Sequence, residues 1–325
     1  MNPENSGTAS ASKFDRRAIP SIADESTLKA ADGHAIRRID WPGDKAAPRG
    51  SILFFPGRGD NYEKYLESLH QWHEAGWKVT AADWRGQAGS GRLGEDAVTG
   101  HIEDYSIWID DLAAFWADWI KETPGPHVVA GHSMGGHLVL RGIVQKRITP
   151  DAAFLIAPML GFFGNILPHT FMHGATKLIR RFRGATTRAW TWSEKPGEIP
   201  VGRINLLTHD KDRYEDELWW REHRPELVMG PGSWGWVERG YASMGVLFAD
   251  GALEATETPV LMVATSNDKL VDMRAISKAA DGLPNGEIIE LGKEAHHEIL
   301  REVDAVRDRA MTGIAEFLDR AAPKT

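Results

Sequence analysis

The sequence predicts an α/β protein with a doubly wound, mostly parallel sheet and one inserted helical segment. Three observations carry this. Short apolar runs of strand length alternate with stretches whose apolar residues recur at helical spacing. Several of those runs, at Ser51–Phe55, His127–Ala130 and Ala152–Ala157, read as strands covered on both faces. Between about 159 and 240 the alternation stops, and Gly, Pro and many Trp take its place.

In chain order, residues 1–25 read as a flexible lead-in, followed by strands at His34–Trp41 and Ser51–Phe55. Tyr62, Tyr65, Leu66, Leu69 and Trp72 mark an amphipathic helix over 61–75, stopped by Gly76. A strand follows at Trp77–Trp84, then a helix over about 102–122 with Tyr105, Trp108, Leu112 and Trp119 on one face. His127–Ala130 is a strand, 134–147 a helix and Ala152–Ala157 another strand. After the interruption come a helix near 241–254, a strand at Val260–Thr265, a helix at 273–281 and a strand at Glu287–Leu291. A last helix carries Ile299, Val303, Val306, Ala310, Ile314 and Phe317 as its apolar stripe. The expected organisation is a core of 26–158 and 241–325, with 159–240 as an inserted cap.

Composition narrows the function. With 325 residues, 42% hydrophobic and 26% charged, the chain can bury a full core. It has no cysteine, which excludes disulfides, thiolate metal sites and a thiol nucleophile. Lys+Arg 38 against Asp+Glu 46 gives a net charge of −8, a poor balance for a general nucleic-acid binder. No apolar run approaches the ~18–20 residues of a membrane span. Met1–Asp15 is polar, without an apolar stretch behind a basic start, so the expectation is a cytoplasmic protein.

The chemistry centres on Gly131-x-Ser133-x-Gly135. The bare pattern is weak in a chain with 33 glycines, but its context is specific. A β-branched strand runs into it and the helix Leu138–Val144 runs out, as a nucleophile on a sharp strand-to-helix turn requires. The bland alternative is a Gly-rich turn that packs a helix on a strand. A serine hydroxyl needs a histidine base, and the base needs an orienting acid. Asp268 follows the strand Pro259–Thr265, and His296 and His297 follow the strand Ile288–Leu291. All three lie at carboxyl ends of strands, the edge that holds Ser133 and binds ligands in open α/β sheets. Asp272, Asp210 and Asp212 are rival acids, and Asp268 has a competing role as a helix N-cap. The residues themselves leave His296 and His297 unseparated.

Six stretches carry a family resemblance: Phe55-Pro56-Gly57-Arg58-Gly59-Asp60, Tyr62-Glu63-Lys64-Tyr65, Asp83-Trp84-Arg85-Gly86-Gln87-Ala88-Gly89-Ser90, Gly131-His132-Ser133-Met134-Gly135-Gly136, Asp268-Lys269-Leu270-Val271 and His297-Glu298-Ile299-Leu300-Arg301-Glu302. In that order, over about 25–320, the chain resembles the α/β-hydrolase superfamily. Within it, the chain is similar to the lysophospholipase L2 and monoacylglycerol lipase group, of the serine aminopeptidase S33 or Hydrolase-4 type. The resemblance implies a Ser133, His297 and Asp268 triad, His297 being the histidine followed by Glu and an aliphatic pair. It implies an oxyanion hole made by the amides of Arg58 and Met134. Relatives usually have His-Gly in the early loop where this chain has Pro56-Gly57, which bears on the shape of that loop. The insert is similar to the lysophospholipase L2 cap, through Ala157–Gly161, Asn205–Asp210, Arg213-Tyr214 and Gly232–Trp236.

The implied enzyme is a cofactor-free serine hydrolase of carboxylic esters, with lysophospholipids or monoacylglycerols as the expected lipid substrates. The alternative keeps the triad and takes a small soluble ester, an amide or an aminoacyl peptide. No metal is expected: His169 and His173 have the i, i+4 spacing of two ligands but no third. Asp83 reads as a loop-fixing acceptor, and neither His132 nor His137 as the base. Lys177, Arg180, Arg181, Arg183 and Arg188 cluster without an acid, threaded by Leu167, Phe171, Ala175, Leu178 and Phe182. The favoured expectation is a cap helix with its apolar face on the core and its charges in water. Peripheral contact with an anionic membrane is the alternative.

Overall fold

The computed structural model describes residues 14–43, 48–164, 167–191 and 202–324. Eight strands form one sheet in the order β1-β2-β4-β3-β5-β6-β7-β8. They are β1 Asp24–Lys29, β2 Ala35–Trp41, β3 Gly50–Phe55, β4 Trp77–Ala82, β5 His127–His132, β6 Ala152–Ile156, β7 Val260–Thr265 and β8 Gly286–Leu291. The six strands from β4 to β8 run parallel, while β1 and β2 join one edge antiparallel. Every residue of β3, β6 and β7 is buried, the signature of strands covered on both faces that their uninterrupted apolar runs predict.

The covering helices are α1 Leu66–Glu74, α2 Tyr105–Glu122, α3 Met134–Val144, α8 Met273–Gly282 and α9 Asp304–Ala321. α2 buries Tyr105, Trp108, Leu112, Phe115 and Trp119, and the Asp104 side chain caps it by accepting from the Ser106 amide. The other helices, α4 His169–Arg183, α5 Ile204–Leu207, α6 Lys211–His223 and α7 Trp234–Leu247, all lie between β6 and β7. Among the described residues no helix is long and apolar enough to cross a membrane.

Several expectations are corrected. Strand β1 had no apolar periodicity to announce it, because five of its six residues are exposed; pairing with β2 and the bonds of Glu25 to Tyr62 and Arg224 hold it. The end of the expected lead-in makes tertiary contacts through Phe14, Arg16 and Arg17. Phe14 stacks on His70 with ring centroids 4.9 Å apart, Arg16 and Arg17 both bond Asp216, and the Trp220 indole donates to the Arg16 carbonyl. Residues 1–13 of that lead-in lie outside the described residues. The stretch 61–75 is a 3-10 turn, Tyr62–Tyr65, followed by α1. The helix expected near 241–254 is α7, seven residues earlier in the chain. Ser233 starts it by accepting the Trp236 amide, in a Gly- and Trp-rich stretch that reads as loop. Ile299 belongs to a separate 3-10 turn before α9, and Val303 is exposed.

Helix α4 is inverted relative to expectation. Its inward side carries Met172, His173, Thr176 and Arg180, and packs on α7. His173 and Arg180 both bond the buried Glu238 carboxylate, at 2.9 Å each. Phe171, Leu178 and Phe182 face water instead. A buried carboxylate needs partners more than an apolar face needs cover, because an unpaired buried charge is the costlier defect.

Candidate active site

Ser133 sits where β5 ends and α3 begins, at φ +52° and ψ −117°. Such a conformation strains a residue with a Cβ, by about 1–3 kcal/mol. The two glycines of the motif have a steric cause. A Cβ on Gly131 would stand 2.5 Å from the Gly135 carbonyl carbon, and one on Gly135 would stand 2.3 Å from the Pro56 oxygen. The turn closes only without those atoms. Within this turn His132, Met134, Gly135 and Gly136 are buried, while Ser133 is partly open to a cavity.

The cavity, of about 710 Å³, is lined by Ser133 and His297 together with Met159, Phe162, Trp190, Leu206, Trp236 and Tyr241. His297 follows β8 and Asp268 follows β7. The His297 Nδ1 and Asp268 Oδ2 are 2.7 Å apart, both side chains being almost fully buried. Oδ1 of Asp268 accepts from the Leu270 and Val271 amides, so one carboxylate both closes its own loop and holds the imidazole. Burial raises the Asp268 pKa, but His297 and the two amides outweigh it and the net shift is downward. For His297 burial acts to lower the pKa, while Asp268, Glu298 and Asp60 raise it, and the net result is a base above the ordinary histidine range.

The rival acids are occupied elsewhere. Asp272 caps α8 by accepting the Arg274 amide, Asp210 caps α6 through the Arg213 amide, and Asp212 is exposed on α6. The His296 ring lies against His209, ring centroids 3.8 Å apart, while Asp268 bonds His297. Asp83 accepts the Tyr62 amide and the Arg37 guanidinium, fixing its loop. The His137 ring lies 2.6 Å from the Ser243 hydroxyl, and burial depresses its pKa to about 3.

The loop after β3 lies against the serine, since a Cβ at Gly57 would be 3.1 Å from the Ser133 Cβ. Its amides on either side of Arg58 are tied down, Gly57 donating to Asp60 Oδ2 and Gly59 to Gln87 Oε1. The Pro56 carbonyl accepts the Trp84 indole. The loop is therefore held by Asp60, Gln87 and Trp84. Met134 begins α3, and its amide is among the four that a helix leaves without an intrahelical acceptor.

One further layer of the site has no counterpart among the expectations from the sequence. Beneath the serine and the imidazole runs a buried ionic network. Asp60 pairs with Lys64 at 2.9 Å, Lys64 with Glu217 at 3.2 Å and with Glu298, and Arg301 with Glu217 at 2.9 Å and with Glu298. His132 joins it, its Nδ1 2.8 Å from the Tyr65 hydroxyl and 3.2 Å from Asp60 Oδ2. The network ties α6 to the loop that carries His297. No local pattern announces it, since Lys64 finds its partners on distant segments, at Glu217 and Glu298.

Among the described residues one trio of potential metal ligands converges: His209, His296 and Glu302, with ligand atoms within 4.8 Å of one another. The Glu302 carboxylate already accepts from His209 Nδ1 and from the amides of His209, His296 and Val303. His169 and His173 do not converge: they bond the Tyr241 carbonyl and Glu238 respectively.

A parallel sheet with a strained serine at this strand-to-helix turn defines the class, the α/β-hydrolases. Residues 46–304 match the family described as Hydrolase_4, serine aminopeptidase, S33, and the chain belongs to that family. It is 30% identical over 281 residues to lysophospholipase L2 of Escherichia coli strain K12, covering 83% of this chain and 80% of that protein. Two solved structures share the fold. A soluble variant of monoglyceride lipase from Saccharomyces cerevisiae has a TM-score of 0.74 at 17% identity, covering 95% of this chain and 98% of that one. The Paleococcus ferrophilus monoacylglycerol lipase has a TM-score of 0.64 at 20% identity, covering 88% and 99%.

Proposed function

We propose that the chain is a cofactor-independent serine hydrolase that cleaves carboxylic esters of lipids, lysophospholipids or monoacylglycerols, in the cytoplasm and at the inner face of the membrane. The observation that carries this is the buried His297–Asp268 pair and the strained Ser133 opening into one largely apolar cavity. Ser133 Oγ attacks the ester carbonyl, and His297 Nε2 takes its proton. The same proton then passes to the leaving alcohol, and water releases the acid by the reverse path. Asp268 holds the tautomer with Nδ1 protonated and stabilises the imidazolium. The Arg58 and Met134 amides receive the developing oxyanion, each such donor being worth ~3 kcal/mol of barrier. Residues 159–240 act as the cap that excludes water and shapes the acyl pocket. The 30%-identical relative named as a lysophospholipase supports the substrate class.

The test is a panel of lysophospholipids, monoacylglycerols and short soluble esters and amides, assayed on purified protein with a fluorophosphonate as active-site control. Long-chain lipid esters are expected to be turned over with the highest kcat/KM. Preference for short soluble substrates would replace the lipid reading by the small-ester one, and failure to label with the fluorophosphonate would remove the serine mechanism.

The pH profile is a second expectation. The base works only when neutral, and its pKa is raised. Acylation therefore falls on acidification with an inflection above the ~6.5 of an unperturbed histidine. Asp268→Asn removes the carboxylate that raises it, so the residual activity should inflect at lower pH. An inflection that stays in place in that variant would separate His297 from Asp268.

A further inference from the structure

We propose that α4 docks the protein on the anionic surface of a lipid bilayer, lying in the surface plane with Phe171, Leu178 and Phe182 inserted. The inference builds on the lipid-ester reading and names the element through which the enzyme meets its substrate phase. Phe171 is 61% exposed, Leu178 57% and Phe182 79%. Spacings of seven and four residues put the three on one line of the helix. Phe163 and Leu167, also exposed, lie just ahead of α4 in the chain. Large apolar side chains grouped in this way mark an interaction surface, whereas scattered ones need no explanation.

Charge selects the occupant. α4 contains no acidic residue. Lys177 and Arg181, four apart, share one side of the apolar line, and Arg183 closes its end; all three are exposed. Arg180 is excluded from this set, because it turns inward to Glu238. A symmetric pairing of α4 with a second copy would bring six cations together with no acid in either helix, so self-association is disfavoured. A basic amphipathic helix with aromatic residues on its apolar face is suited to the boundary between headgroups and acyl chains. The net charge of −8 makes the attraction local to this helix.

The position also suits delivery. Leu167, His169 and Thr170, at the start of α4, line a second cavity of about 410 Å³. Phe162 and Tyr241 line both this cavity and the one holding Ser133. Docking through α4 sets the bilayer beside a cavity that only Phe162 and Tyr241, lining both, separate from the one holding Ser133.

The experiment measures sedimentation with phosphatidylcholine vesicles, with and without phosphatidylglycerol, in a Ser133→Ala background so that no lipid is consumed. The parent should bind phosphatidylglycerol vesicles more tightly and release them as salt rises. Phe171→Ser/Leu178→Ser/Phe182→Ser should weaken binding about tenfold or more. Lys177→Gln/Arg181→Gln/Arg183→Gln should lose the preference for phosphatidylglycerol. The same substitutions on the Ser133 protein should leave turnover of a short soluble ester unchanged, which shows that they fold. No binding by the parent, or equal binding by parent and both variants, overturns the proposal. So does a concentration-dependent dimer that the serine variant abolishes while vesicles go unbound. Intact vesicle binding with no ester turnover would instead sink the hydrolase reading and leave the docking helix standing.

Discussion

Ser133→Ala is expected to leave a folded protein that no longer labels with a fluorophosphonate and whose ester turnover falls by about 10⁴-fold or more. The size follows from the proposed role: without Oγ no acyl-enzyme could form, and the proposed oxyanion donors would act alone. Turnover near the parent rate would remove the mechanism. The backbone supplies an independent check. Alanine keeps the Cβ that makes φ +52° costly, whereas glycine tolerates that conformation. Ser133→Gly should therefore melt above Ser133→Ala, although both are inactive. Equal melting temperatures would mean that the turn relaxes in the variants.

The second large effect separates two adjacent histidines. His297→Ala should inactivate by a similar factor, about 10⁴-fold, since base and nucleophile act as a unit. His296→Ala should keep most activity, because its ring lies against His209 while Asp268 bonds His297. If His296→Ala inactivated and His297→Ala did not, the assignment of the base would be reversed. The inactive His297→Ala should also be assayed with added imidazole, since rescue there supports a proton-transfer role over a structural one.

How far the sequence could be read depended on which force shaped each part. Strands such as Val260–Thr265 are buried on both faces, so their composition alone marks them. Gly131 and Gly135 are dictated by contacts of 2.5 Å within the turn and 2.3 Å to the Pro56 oxygen of the neighbouring loop, and that demand is written into a five-residue pattern. β1 was silent because pairing with β2 and the distant partners of Glu25, not an apolar pattern of its own, decide its state. α4 misled because periodicity reports that a helix has two faces without saying which turns inward; Glu238, on a helix 58 residues from Arg180, decides it. The pairing of Lys64 with Glu217 and Glu298 was hidden for the same reason, since partners 153 and 234 residues away leave no local trace. His296 and His297 were separable only by resemblance.

The ionic network beneath the site limits how this protein can be re-engineered. Caps on such scaffolds look like interchangeable modules, and grafting a foreign one is an obvious route to new selectivity. Here a graft that discards α6 discards Glu217, and with it a carboxylate partner of both Lys64 and Arg301. Those cations are 2% and 3% exposed and cannot turn to water. Lys64 would keep Asp60 and Glu298, and Arg301 would keep Glu298, so the loss stays below the about 3–5 kcal/mol of a buried charge left wholly unpaired, yet it is a real share of a domain's stability. The loss would fall next to Glu298, the residue after the proposed base, so a chimera would lose rigidity where proton transfer needs it. A workable graft carries Glu217 with it, or exchanges Lys64 and Arg301 for neutral side chains at the same time.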